Sequence, residues 1–337
     1  MATIRDVARE AKVSIATISK VLNHKGSISE ETRRRVMDAI QNTGYQKNFS
    51  ARAMKTNRSY TVGLVIPSIS NPFYPLLARS AENVLLNEGY TMFLCNTDRQ
   101  EQLEYGYLKS LVERQVDGII FFSPSPKVCD WIEELPIQNT VCVAIEAPLD
   151  ESLDYLKIDY SGIREAVKYI VSLKHRRIAY LTGPLSRPCN RKRLEMFRNS
   201  LTELNVPIVD EFIAESNFEY EGGYNLAWHL LKHPTPPTAI FTGNDLMAFG
   251  VLNCITEQGL RVPEDISVIG FDDIPQAGYF IPSLTTVRQP ATELGKISAK
   301  YIVDKLAGRE FQGSLKVQTS LVIRRSTTFC NPERAGE

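Results

Sequence analysis

Two rhythms of hydrophobic and polar residues run along this chain, and one gives way to the other near residue 60. Before that point, apolar residues recur at helical spacing in short bursts. In TIRDVAREA, Ile4, Val7, Ala8 and Ala11 follow the i, i+3, i+4, i+7 pattern of an amphipathic helix, with Thr3 and Asp6 placed as a variant capping box. Lys12 and Val13 break the pattern. Ser14 then caps a second helix, IATISKVLN, in which Ile18, Val21 and Leu22 can face a core while Ile15, Ala16, Ser19 and Lys20 face outward. A third helix begins in SISEETRRRVMDAIQNTGY. There Ser29 caps, Glu30 and Glu31 suit the positive end of the helix dipole, and Gly44 supplies the stop.

Beyond residue 60 the texture changes to short apolar runs alternating with amphipathic stretches. TVGLVIP, TMFLCNT, DGIIFFS and TVCVAIE each read as a buried strand, with helices expected around 74–89, 101–115 and 127–134. The pattern then repeats: helices near 162–173, 190–205, 222–232 and 246–258 alternate with RRIAYLTG, FIAESN, AIFTGND and SVIGFDD. The fold class is therefore α/β, a helical head followed by two lobes that each hold a doubly wound parallel sheet. LTTVRQP, a helix near 290–307 and a final strand KVQTSLVIRR take the chain back between the lobes more than once, and such crossings act as hinges. The expected division is a head over 1–46, a linker over 47–60 and a body over 61–337. Within the body, one lobe takes about 61–160 and 291–320, the other about 161–290 and 321–337.

Charge separates the same parts. Residues 1–58 hold 12 Lys and Arg against 5 Asp and Glu, and the remainder holds 27 against 34, so a chain of zero formal charge has a basic head and an acidic body. A basic three-helix head is too small for an enzyme and suits nucleic acid. No apolar run approaches the roughly 20 residues of a membrane span, and MATIRDVAREAKVS lacks the apolar core of a secretory signal. We therefore expect a soluble cytoplasmic protein without a membrane partner. The six cysteines have no CxxC spacing and read as reduced thiols.

Two short helices joined by a tight turn and braced by a third make a helix-turn-helix, whose second helix fits the major groove. Candidates for contact there are Ile15, Ala16, Thr17, Ser19 and Lys20, with Thr3, Ser14, Asn23 and His24 nearer the backbone. Lys20 is the expected hydrogen-bond donor to guanine, and Ile15 or Ala16 the apolar contact to a thymine methyl. In the body, ligands of open parallel sheets bind beyond the carboxyl ends of the strands. Those ends offer Ser68, Asn71, Phe73, Tyr74, Asn96, Asp98, Ser123, Glu146 and Asp159, then Arg187 to Arg193, Asn217, Phe218, Asn244, Asp245, Asp272 and Asp273. Aromatic faces beside a few carboxylates, amides and arginines suit a sugar, and a nucleobase would fit the same chemistry.

TIRDVAREAKVSIATISKVLN followed by TRRRVMDAIQNTGY resembles the DNA-binding head of the lactose-repressor/galactose-repressor (LacI/GalR) family. SNPFY, VDGIIFF, GPLSRPCNRKRLEMF, NFEYEGGY, TGNDLMAFG, GLRVPEDISVIGFDD and LTTVRQP extend the resemblance through the body, to the periplasmic sugar-binding-protein fold. The resemblance implies a hinge helix over Asn48–Lys55, with Met54 as a minor-groove wedge, Ala51 permitting close approach, and Arg52 and Lys55 near phosphates. Lys47 stands where a proline is common and Met54 where leucine is. In the body it implies Arg193 as the ligand arginine accompanied by Asp272, with Phe73, Phe218, Asn244 and Glu146 completing the lining and Tyr74, Arg187 and Cys189 beside them. Cys189 stands where a hydroxyl residue is common, and Met196 where glycine is frequent.

Enzyme signatures fail. There is no phosphate-binding G-x-x-x-x-G-K-[ST] loop, no G-x-G-x-x-G, no G-x-S-x-G and no H-E-x-x-H. His229 and His233 lie four apart but lack a third ligand, and no metal or cofactor is expected. The expected function is a transcription regulator, a repressor first, binding a pseudo-palindromic operator as a homodimer under control of a small-molecule effector. A sugar or sugar derivative comes first as effector and a purine acting as co-repressor second; a dual activator and repressor is the remaining variant. A transport solute-binding protein, a sugar enzyme and a protein-docking adaptor are the readings from other classes.

Overall fold

A helix as short as eight residues needs its ends satisfied and one face buried, and the first three helices meet both needs. The computed structural model describes residues 2–22, 27–45, 58–137, 139–146 and 153–331. Helix α1 (Ile4–Ala11) opens with the Thr3 amide donating to the Asp6 carboxylate at 2.9 Å, and α2 (Ile15–Leu22) with Ser14 accepting from the Thr17 amide at 3.1 Å. In α3 (Glu30–Thr43), Ser29 accepts from the Thr32 amide at 3.3 Å, and Gly44 ends the helix at φ 62, a left-handed turn that glycine enters without strain. Val7, Ala11, Ile18, Val21, Val36 and Ala39 make the small core. The chain divides into two compact units, Met1–Ser59 and Tyr60–Glu337. The predicted hinge helix, with Lys47, Ala51, Arg52, Met54 and Lys55, lies outside the described residues, as do Asn23 and His24.

The larger unit contains two six-stranded sheets of the same winding. In the first, β1 (Thr61–Ile66), α4 (Phe73–Asn87), β2 (Thr91–Asn96), α5 (Glu101–Glu113), β3 (Gly118–Phe122), α6 (Val128–Glu134), β4 (Val141–Ile145) and β5 (Tyr155–Asp159) follow in chain order. The second is built from α7 (Ser161–Ser172), β6 (Ile178–Thr182), α8 (Pro188–Glu203), β7 (Ile213–Glu215), α9 (Tyr220–Leu231), β8 (Ala239–Thr242), α10 (Asp245–Glu257), β9 (Ser267–Asp272), α11 (Pro275–Tyr279) and β10 (Thr285–Arg288). Helix α12 (Ala291–Leu306) and β11 (Lys316–Gln318) return to the first lobe, and β12 (Ser320–Val322) ends in the second. The strand orders are β11-β5-β4-β3-β1-β2 and β12-β10-β9-β8-β6-β7, all parallel except β12 against β10. Each sheet reverses its winding between its first and third strands, so a crevice opens there in both lobes. The chain passes between lobes at Tyr160, at Gln289–Pro290 and at Thr319.

Two expectations need correction. TMFLCNT is a strand but not a buried one: β2 is the edge of its sheet, and Phe93 and Leu94 are exposed. An apolar run looks the same whether neighbours cover it or not. KVQTSLVIRR is two strands rather than one, because Thr319 is spent on a crossing: its hydroxyl donates to the Asp159 carbonyl and accepts from the Gly162 amide. No helix among the described residues is long and apolar enough to cross a membrane.

Candidate functional site

The strand ends of the two lobes converge on a cavity of about 120 Å³. From the first lobe come Pro67, Asn71, Tyr74, Arg99, Phe122, Ser123 and Glu146, and from the second Arg187, Cys189, Asn190, Arg193, Phe218, Asn244 and Asp272, with Gln289 on a crossing. Several lie in the left-handed backbone region without being glycine: Arg99 (φ 60), Ser123 (φ 46), Glu146 (φ 66), Phe218 (φ 69) and Asp272 (φ 114). Such conformations cost energy and collect where a side chain must be aimed. Phe218 is seated by a missing side chain, since a Cβ on Gly183 would stand 1.9 Å from its Cζ.

Charges in the cavity wall are paired across the lobes. Arg193, at the inner face of α8, donates from Nη2 to Glu146 Oε1 at 3.0 Å and to Gln289 Oε1 at 3.1 Å, and its guanidinium lies 4.1 Å from the Phe271 ring centre. Tyr160 Oη donates to the same Glu146 oxygen. Arg187 reaches Glu104 at 3.4 Å, and Arg99 reaches Glu219 at 2.8 Å. Asp272 takes a 2.9 Å hydrogen bond from Asn71 Nδ2. Among the described residues, two buried polar atoms of this wall have no partner, Glu146 Oε2 and Arg193 Nε. One is an acceptor and the other a donor, so the cavity suits a group that does both.

Burial shifts the titration of this wall. It pushes Asp272 up to about 7, against the opposing pulls of the Asn71 hydrogen bond and the Arg193 charge. Burial also raises the Tyr74 phenol, and takes the Cys189 thiol to about 12, so that thiol stays protonated beside Ser123, 3.1 Å away. The unliganded fold should accordingly lose stability as pH rises from the ordinary carboxylate range through about 7, because the native state holds the Asp272 proton more tightly than the unfolded chain does.

Most of the residues expected at the site are brought together: Tyr74, Glu146, Arg187, Cys189, Arg193, Phe218, Asn244 and Asp272 all line the cavity. Phe73 does not. It is buried behind the wall, edge-on to Tyr74 and Phe122, and its amide donates to Asn71 Oδ1. Nor does Arg193 pair with Asp272, since its carboxylate partner is Glu146. Asp245 is wholly buried and accepts from the Ile274 amide and the Thr286 hydroxyl. Asp159 opens instead on a second cleft of about 500 Å³, and Arg191 and Lys192 are exposed. Sequence reasoning missed Arg99, Phe122 and Gln289; Phe122 stood in the strand-like run DGIIFFS and Gln289 in LTTVRQP, while nothing marked Arg99.

In the head, α2 turns Ile15, Ala16, Ser19 and Lys20 outward, with Ile15 44% exposed, while Thr17 is held by Ser14. Arg35 does not face outward freely, because it donates to the Ala11 carbonyl at 2.6 Å and so ties α3 to the turn after α1.

A family model for "Bacterial regulatory proteins, lacI family" matches residues 3–48, and one for "Periplasmic binding protein-like domain" matches 167–327. The chain is 36% identical over 334 residues to the ribose operon repressor of Escherichia coli strain K12, covering 97% of this chain and 100% of that one. It is 35% identical over 332 residues to the HTH-type transcriptional repressor PurR of Photorhabdus laumondii, covering 97% of each. The chain belongs to the LacI family. Among solved structures it is similar to the lac repressor dimer bound to operator and the anti-inducer ONPF, at TM-score 0.84 and 27% identity over 97% of this chain and 99% of that one. A LacI-family chain is a DNA-binding transcription regulator and not an enzyme, which fits a basic head and a body whose cavity arginines each face a glutamate. His229 packs against Trp228 and His233 binds Thr235. Among the described residues no group of three or more His, Cys, Asp or Glu could hold a metal ion.

Proposed function

We propose that this regulator is a cytoplasmic repressor whose effector is an uncharged polyhydroxylated ring of monosaccharide size, D-ribose first. The observation that carries this reading is the charge balance of the cavity. Arg193, Arg187 and Arg99 each already face a glutamate, so a phosphorylated sugar would bring negative charge that, among the described lining residues, no spare cation meets. A hydroxyl both donates and accepts, and so can satisfy Glu146 Oε2 and Arg193 Nε together while others donate to Asp272. The similarity to a ribose operon repressor supports D-ribose among such rings. A purine is the second reading, favoured by the aromatic lining, but the Arg99 guanidinium already lies 5.5 Å from the Phe218 ring centre.

In this reading residues 1–46 form the DNA-binding head, 47–60 a hinge helix and 61–337 the effector-binding body. The protein acts as a homodimer on a pseudo-palindromic operator, since one small head makes few base contacts and a two-fold dimer matches two half-sites. No cofactor takes part. The effector shifts the balance of lobe arrangements and through it the affinity of the heads for DNA.

Thermal melting with a panel of monosaccharides, their phosphates and purines tests the ligand class. A neutral monosaccharide should raise the melting temperature, as any ligand of the native state does, and its phosphate should not. The reverse order would overturn the charge argument. Because the ligand hydroxyls need the ionised form of Asp272, affinity should rise on the order of tenfold between pH 6 and pH 8. Calorimetric titration across that range checks it: Asp272→Asn should flatten the profile, and an affinity that falls with pH in the wild type would contradict the role. In the head, Lys20→Ala should lose about 1–3 kcal/mol on the preferred duplex and relax the preference at one base pair. Selection from a random duplex pool reads this directly, and an unchanged preferred sequence would remove Lys20 from base recognition.

A further inference from the structure

Asp273 follows a residue of the cavity wall and is not itself part of that wall. Its side chain is only 7% exposed, and two arginines hold it: Oδ2 accepts from Arg288 Nε at 2.7 Å, and Oδ1 from Arg324 Nη2 at 2.6 Å. The positions of these arginines are informative. Arg288 ends β10, directly before Gln289 and Pro290 carry the chain into α12 of the other lobe. Arg324 follows β12, the strand entered from the Thr319 crossing, and also donates to the Leu284 carbonyl at 2.8 Å. One carboxylate therefore ties the end of β10, beside the Gln289–Pro290 crossing, to the far end of β12, the short strand that begins just after the Thr319 crossing.

On the other side, Asp273 is coupled to the cavity through its own backbone. Asp272 and Asp273 are consecutive left-handed residues, φ 114 and φ 59, a conformation that survives only where neighbours enforce it. Asp245 is one such neighbour, accepting from the Ile274 amide at 2.9 Å and from Thr286 Oγ1 at 2.6 Å, and the Gln289 amide closes on the Asp272 carbonyl at 3.2 Å. A turn clamped at this many points does not absorb a movement of Asp272. It passes the movement on. Asp272 is also where the first lobe reaches over, through Asn71.

We propose that Asp273 is a positioning residue for allostery: it carries the state of the cavity to the Gln289–Pro290 and Thr319 crossings, and so sets the coupling between effector and DNA while touching neither. This rests on reading the cavity as the effector site. A charge at this position has no use in ligand contact, and Gln289, which receives Arg193 at 3.1 Å, lies on one of the same two crossings.

The test uses the full chain, D-ribose as probe, and the duplex that the wild type selects from a random pool. Asp273→Asn keeps the size, one acceptor oxygen and the tolerance for a left-handed backbone, but removes the charge. Arg288→Gln, at a half-exposed position, is the companion should the first variant fold poorly. Duplex affinity is measured with and without saturating D-ribose, alongside D-ribose affinity itself. The wild-type ratio should fall within the roughly 5–150-fold usual for allosteric coupling. In both variants it should collapse to within about twofold while D-ribose affinity stays within about threefold. A preserved ratio, or loss of D-ribose binding along with it, overturns the proposal. Amide exchange in the unliganded chain separates this from an error about the ligand: Asp273→Asn should speed exchange across 288–291 and 319–325 but not in β6 or β8. Unchanged exchange there refutes the role of Asp273 even if D-ribose proves to be the wrong effector.

Discussion

Arg193→Ala is expected to abolish the response to the effector and to destabilise the body. Arg193 and Glu146 are both almost fully buried, and removing the cation leaves a carboxylate whose remaining partner is Tyr160. Breaking a buried pair from one side typically costs about 3–5 kcal/mol. For a unit of this size each kcal/mol lowers the melting temperature by about 2–4 °C, so the loss should be visible at once in a thermal scan. Adding Glu146→Gln to the same chain removes the stranded charge and should recover part of the stability. The effector response should stay absent, because Arg193 Nε, the unpartnered donor of the cavity, is still missing. Recovery of both properties in the double variant would mean that Arg193 is only a strut. The sign of the regulation does not enter, because the proposed contact is lost for an inducer and a co-repressor alike.

Ile18→Asp should abolish DNA binding and leave the effector site untouched. Ile18 is wholly buried in a head core that, among the described residues, holds six buried apolar side chains, Val7, Ala11, Ile18, Val21, Val36 and Ala39. A core so small has no reserve against a buried charge, whose desolvation alone costs several kcal/mol. The head is one compact unit and the body another. The variant should therefore lose the helical signal of the head and all duplex affinity while its melting temperature still rises with D-ribose. Loss of the ligand-induced rise would show that the two units do not fold independently.

How much of this was legible in the sequence follows from which signals are local. The helix starts at Thr3, Ser14 and Ser29 and the stop at Gly44 could be read because caps are made by residues three apart. Strand ends could be read because apolar runs stop there, which is why Glu146, Phe218, Asn244 and Asp272 were found. Phe73 and Tyr74 show the limit: adjacent residues on a helix point about 100° apart. Only tertiary packing turned Tyr74 into the cavity and Phe73 behind it, while Asn71 took the place expected of the aromatic. The partner of Arg193 was not legible either, since Glu146 lies 47 residues away in the other lobe. Gln289 was missed for a related reason, because a residue between two elements reaches the cavity only when the lobes face each other. The exposed edge β2 and the break at Thr319 belong to the same class, for strand-forming composition says nothing about neighbours.

The measurement closest to the centre of the account is anisotropy of the selected duplex titrated with the full chain over a salt series, each point with and without D-ribose. Counterion release from phosphate contacts predicts a steep linear fall of log affinity with log salt, and an allosteric cavity predicts a second line displaced from the first at every salt concentration. Duplex affinity indifferent to salt, or two lines that coincide for every neutral monosaccharide that raises the melting temperature, would contradict the account.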